Sequence, residues 1–343
     1  MTESQGRGGR LRAYTEFLLA LLYFFLARVV AHRGAIAVAG EEWQPLIEQL
    51  LLAVFLIAGY SAMGFVFDRQ TQPVAEQGLP SRAGWRREAG LGLAFGWGLA
   101  VVCVLPLALV GGIAIRVSGS ASSWEWFAVD IAFFAFWSLA EEFAFRGYGF
   151  QRFAHALGGV GAALCFAVFY AIFQCLIPGA SPASASVAFV FGLLLSTAYL
   201  RTRALWVSWG INFAWKASRA LVFGLAISGD NSHSPVVQGD PVGPFWLTGG
   251  GFGQEGSWLT FFVLLAALPV LYRITRELDF QYNAPVLVPG GIPVDIDAAA
   301  QRQHEAAMGP AQPAGPALVQ IAPLTQTTQQ EPEQPESADV NPS

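Results

Sequence analysis

The sequence predicts an all-α fold: a polytopic membrane helix bundle of about eight transmembrane helices, followed by a disordered C-terminal tail. Three observations predict it. Apolar residues make up 54% of the 343-residue chain and charged residues only 13%, about half the share usual in soluble domains; mean hydropathy is +0.46. The apolar residues are gathered into runs long enough, at about 1.5 Å per residue, to cross a bilayer. The basic residues, 18 arginines and one lysine, fall mainly in alternate connecting segments.

In chain order, residues 1–13 are rich in Gly and Arg and read as disordered. The first apolar run, 14–31, reads as a retained helix. Ala35-Ile36-Ala37 resembles a signal-peptide cleavage site, but the run is long for that role and Arg28, His32 and Arg33 intervene. Further spans are expected at about 45–67, 89–115, 124–153, 158–177, 185–200, 204–226 and 258–272, so the transmembrane domain covers 14–277. With the N-terminus inside, the inner segments hold Arg7, Arg10, Arg12, Arg69, Arg82, Arg86, Arg87, Arg146, Arg152, Arg201, Arg203, Arg273 and Arg276. The outer segments hold only Arg28, Arg33 and Arg116, which places both ends in the cytoplasm. Residues 278–343, rich in Pro, Gln and Ala, read as the disordered tail. Cys103, Cys165 and Cys175 lie in apolar runs without metal or disulfide spacing. No phosphate loop or basic nucleic-acid patch exists.

Ionisable groups at membrane depth are costly and mark function by default. Glu141 and Glu142 end an apolar, aromatic run, and Arg146 follows four residues after Glu142. On a helix Glu142 and Arg146 share a face and pair, leaving Glu141 as a free carboxylate able to act as a general base. Asp130, eleven residues before Glu141, returns close to the same face. The alternative is that the three groups form a solvated cap at the cytoplasmic rim. Tyr170 and Gln174 make a polar face on the fifth span, and Ser208, Asn212, Lys216 and Arg219 make one on the seventh. Lys216, the sole lysine, needs an acid partner from Glu141, Glu142 or Asp130. The four histidines all lie outside the apolar cores.

These residues resemble a family, the CPBP intramembrane endopeptidases, which includes type 2 CAAX prenyl proteases and bacteriocin-immunity proteins. The family's EExxxR motif is matched by Glu141-Glu-Phe-Ala-Phe-Arg146, followed by Gly147. In the register of its FxxxH motif stands Tyr170-Ala-Ile-Phe-Gln174, then Pro178-Gly179. In the place of its HxxxN motif, after Leu205-Trp206, stands Asn212-Phe-Ala-Trp-Lys216. The resemblance covers about residues 45–275 and implies a bacterial plasma-membrane protein whose partner is a membrane-bound or lipid-modified peptide, with no nucleic acid.

In the family the first-motif Glu and second-motif His are thought to activate water, and the third-motif His and Asn to stabilise the oxyanion or join a metal site. Here Glu141 matches the base, while Gln174, Asn212 and Lys216 replace His, His and Asn. A zinc site of two histidines and a carboxylate cannot be assembled, so no cofactor is expected. Three functions remain open. One is an endopeptidase with Glu141 as sole base and Asn212 or Lys216 as oxyanion donor. The second is a degenerate member, including an immunity-type protein, that binds a peptide without cutting it. The third is an ion-coupled transporter using Glu141, Glu142, Lys216 and Asp130.

Overall fold

The computed structural model describes residues 2–233 and 235–283 and the pairs 286–287 and 293–294. Its described elements, in order, are α1 (Thr2–Val38), α2 (Gln44–Asp68), α3 (Pro73–Glu76), α4 (Trp85–Leu109), β1 (Ile113–Val117), α5 (Ala121–Arg146), α6 (Tyr148–Cys175), α7 (Pro182–Thr202) and α8 (Trp206–Ala217). After α8 come a π-helical turn (Ser218–Val222), β2 (Val237–Pro241), α9 (Phe245–Thr248), two short 3₁₀ turns, α10 (Trp258–Ile274) and α11 (Arg276–Asn283). The molecule is an all-α membrane bundle. The chain divides into two units, Met1–Ala284 and Pro285–Ser343. Of the second, only an antiparallel pairing of Val286–Leu287 (β3) with Pro293–Val294 (β4) is described.

Helix boundaries follow local chemistry. Ser120 caps α5, its hydroxyl accepting from the Ser123 N–H at 3.1 Å, and Ser181 with Ser184 forms a capping box before Pro182 on α7. Long apolar stretches run at Gly9–Val38, Gln44–Asp68, Trp85–Leu109, Ala121–Cys175 and Pro182–Thr202. The fourth is too long for one crossing and is broken at Gly147, which separates α5 from α6. It breaks again at Gly158, whose φ of 80° lies in the left-handed region that favours glycine.

Several expectations are corrected. The helix expected over 89–115 stops at Leu109, and Ile113–Val117 pairs antiparallel with Val237–Pro241, Ile113 opposite Pro241. The span expected over 204–226 is a 12-residue α-helix extended by the five-residue π turn, short of the ~20 residues a bilayer crossing needs. Helix α1 starts at Thr2, so residues 2–13, expected to be disordered, are helical. Residues 278–283 belong to α11; the remainder of the expected tail lies almost wholly outside the described residues.

Two main clusters hold the bundle. One joins α4, α7, α8 and α10 around Leu194, Leu195, Ile211, Trp215 and Leu264. The other joins α1, α2, α5 and α6 around Phe24, Leu56, Phe143, Phe150 and Phe166. Helix association in lipid rests on close packing of small residues rather than on expulsion of water. Gly92 and Gly96 of α4 supply it against α8. A Cβ at Gly96 would lie 2.4 Å from the Ile211 carbonyl oxygen, and one at Gly92 2.3 Å from that of Val207. Gly96→Ala is therefore expected to push α8 away and cost about 1–3 kcal/mol, seen as a lower thermal midpoint in detergent. Gly98→Ala, which points into open space, is the matched control and should leave the midpoint unchanged.

Candidate functional site

The last turns of α5, the C-terminal half of α6 and the middle of α8 bring one set of polar side chains together. α5 ends at Arg146 because Gly147 turns to ψ −145°; its N–H still donates to the Phe143 carbonyl at 3.0 Å. Glu142 is 0% exposed and Arg146 1%. They are paired at 3.4 Å, and Arg146 also donates to the Gly192 carbonyl on α7 at 3.1 Å. Its guanidinium carbon lies 5.6 Å from the Tyr170 ring centre. The pair is thus interior, and the solvated-cap alternative is overturned.

Glu141 is not the free carboxylate expected. Its Oε2 accepts from Lys216 Nζ at 2.5 Å, from Asn212 Nδ2 at 3.1 Å and from the Tyr170 hydroxyl at 3.3 Å. The charge count requires an acid for Lys216 but does not say which of the candidates takes it. Lys216 is 3% exposed and stands 3.9 Å above the Trp137 ring, a second favourable contact for a desolvated cation. Glu141 keeps 20% exposure, and its Oε1 takes none of these bonds.

Asn212 bridges the two glutamates, its Nδ2 donating also to Glu142 Oε1 at 3.0 Å. A flipped amide would set its oxygen against two carboxylate oxygens, so this orientation follows from the chemistry. The helix carrying Asn212 and Lys216 is held to α5 by Trp209, whose indole donates to the Ala135 carbonyl at 3.1 Å. Ser208 turns back to its own helix, donating to the Leu205 carbonyl at 3.2 Å.

Gln174 reaches a second network. Its amide donates to Ser228 Oγ at 3.1 Å, and Ser228 in turn donates to Glu255. Glu255 Oε1 receives Arg219 Nη2 at 2.7 Å, and Arg219 also donates from Nε to the Trp215 carbonyl at 3.0 Å. Burial pushes the Glu255 carboxyl up, but the Arg219 charge and the Ser228 hydroxyl outweigh it and hold the group below its usual value. Arg219 lies in the π turn, a departure from α-helix found often at functional sites.

Asp130 does not join the glutamates. It accepts from His233 Nδ1 at 2.7 Å, and the imidazole stacks on Phe133 with ring centres 4.1 Å apart. Sequence reasoning misses Glu255, Ser228 and His233, because all three come from the loop after the π turn. One signal was available: Arg219 shares the polar face of Lys216, yet no helical acid balances it.

The chain gives no match to any curated protein or to any solved structure. A family model does match: the type II CAAX prenyl endopeptidase Rce1-like family, over residues 123–218. That stretch begins in α5 and ends in the π turn, so it contains Glu141, Glu142, Arg146, Gln174, Asn212 and Lys216. The match supports a CAAX-protease-like intramembrane protein.

Proposed function

We propose that this protein holds a membrane-associated peptide, lipid-modified or not, at the Glu141–Asn212 site and leaves it uncut or cuts it only weakly. The observation that carries this reading is the 2.5 Å bond from Lys216 Nζ to Glu141 Oε2. A general base must reach the proton of a water, and Oε2 of Glu141 already accepts from Lys216, Asn212 and Tyr170. Gln174 stands where a histidine would share that work, and an amide has no basic nitrogen. A peptide in lipid must satisfy its backbone groups within protein. The Oε1 of Glu141 is suited to accept such a backbone N–H.

Zinc does not fit these residues. The carboxylates of Glu141 and Glu142 are turned toward Lys216 and Arg146, so an added cation would sit beside two fixed positive charges. Among the described residues no group of three His, Cys, Asp or Glu is placed to hold a metal ion. The setting of this reading is a bacterial plasma membrane, as the family resemblance implies, with both ends cytoplasmic as the arginine distribution supports.

The test is mass spectrometry of a fluorescent membrane peptide incubated with protein in nanodiscs, with anisotropy to follow binding. Wild type is expected to bind without measurable cleavage. The triple change Gln174→His, Asn212→His, Lys216→Asn is expected to introduce cleavage in the presence of zinc. Cleavage by wild type as fast as by the triple variant, lost in Glu141→Ala, overturns the proposal.

A further inference from the structure

The two-stranded sheet lies at the end of the bundle where α4 stops and α5 begins, and its two outer edges differ. β1 and β2 run antiparallel, with Ile115 opposite Gly239. The residues flanking the ladder fix its phase. The Ser118 N–H donates to the Val236 carbonyl at 2.7 Å, and the Val242 N–H to the Gly112 carbonyl at 2.9 Å. Hydrogen-bonded and non-bonded pairs alternate along an antiparallel ladder. Gly112, Ala114, Arg116 and Ser118 therefore bond inward to β2, while the N–H and C=O groups of Ile113, Ile115 and Val117 point away from it. On β2 the outward residues are Val237, Gly239 and Pro241.

The outer edge of β2 is closed. The Gly239 N–H donates to the Gly224 carbonyl at 2.8 Å, and Pro241 has no N–H to offer. Gly224 lies so close that a Cβ there would stand 2.4 Å from the Val237 carbonyl oxygen. The outer edge of β1 has no such cover: among the described residues, no hydrogen-bond partner meets the main chain of Ile115 or Val117 on that side. Their side chains are 44% and 73% exposed. Arg116, the one charge on the strand, is drawn across to Asp240 of β2 and does not guard the edge. An unpaired edge is a template for a further strand, and proteins ordinarily blunt it. It also cannot face hydrocarbon, so this one faces the headgroup zone, where the exposed Val110 and Trp124 flank it.

We propose that the outer edge of β1 docks an extended segment of a membrane-anchored peptide, which joins the sheet as a third strand. The main-chain groups of Ile115 and Val117 hold the segment, and side-chain alternation sets its chemistry. Ile113, Ile115 and Val117 share one face with Val237 and Pro241, and Arg116 shares the other with Gln238 and Asp240. The segment that fits alternates apolar and polar residues, its apolar ones covering Ile115 and Val117. The size of the edge favours a peptide over a second copy of the chain. Strand β1 has five residues; at about 3.3 Å each and a strand spacing of about 4.8 Å its edge offers roughly 80 Å². Each partner in a stable dimer gives roughly 800 Å². The edge is separate from Glu141 and its neighbours and needs nothing from them.

The probe is a synthetic peptide of alternating Val and Thr between two lysines, anchored by a dodecyl amide at its C-terminus and added to the protein in nanodiscs. Hydrogen exchange of the Ile115 and Val117 amides, resolved to single residues, is expected to slow about tenfold on its addition, with α7 unchanged. Ile115→Pro removes an outward N–H and leaves the β1–β2 ladder whole, a position where a strand tolerates proline. It is expected to weaken probe binding, read by anisotropy, about tenfold with the thermal midpoint unchanged. Ile115→Thr keeps the N–H and is expected to bind as wild type does. The wild-type exchange needs no variant, so it decides even where Ile115→Pro shifts the midpoint. No slowing at Ile115 and Val117 with probe in excess overturns the proposal, as does equal binding by Ile115→Pro or equal loss in Ile115→Thr. Slowing that needs no probe and rises with protein concentration assigns the edge to a second copy and overturns it too.

Discussion

Arg146→Met is expected to destabilise the folded protein by about 3–5 kcal/mol, the cost of leaving a buried carboxylate without its cation. Glu142 is fully enclosed, and its remaining donors, the Asn212 amide and the Ser208 hydroxyl, carry no charge. The loss should appear as a lower midpoint in mixed-micelle unfolding. Replacing a whole buried pair by apolar groups is often close to neutral, so Arg146→Met combined with Glu142→Met should recover most of it. A single variant within about 1 kcal/mol of wild type would show that the pair is worth no more than a surface one.

Arg219→Met is expected to cost about 3 kcal/mol by the same mechanism, with a pH dependence set by Glu255. In wild type the Glu255 carboxyl is held below its usual value. Its contribution to stability is therefore present above the unfolded glutamate pKa of about 4.3 and is lost as pH falls through the lower folded value. Without Arg219, burial is opposed only by Ser228 and by the more distant Lys216, and the carboxyl moves upward. The acid-induced loss should then begin nearer neutral pH. Unfolding midpoints measured from about pH 3 to about pH 7 check this, and an unchanged acid limb would sink it.

The spans were legible in the sequence because the length of an apolar run needs no knowledge of its partners. The end of α4 was not. Val110, Ile113, Ile115 and Val117 are as apolar as the helix before them, and what makes Ile113–Val117 a strand is Val237–Pro241, far along the chain. The Glu142–Arg146 pair followed from i,i+4 spacing alone. Partnership of Lys216 with an acid followed from charge balance, but the choice of Glu141 depends on how α8 is set against α5, where Trp209 holds the two helices. Asp130 illustrates the opposite failure. Helical phase aligns it with Glu141, yet the two are separated by three turns of helix, and a loop histidine supplies its partner.

The sole lysine gives this membrane protein a built-in reporter. No other side chain carries an amine, so reductive methylation with a ¹³C label places a dimethylamine on Lys216 and, besides it, only on the N-terminal amine. The Lys216 resonance, set apart from that of the N-terminal amine by its shift, would respond to whatever approaches Glu141, because the two groups share one hydrogen bond. Occupancy of the site by a peptide would then be visible without a substrate that turns over and without a substituted residue.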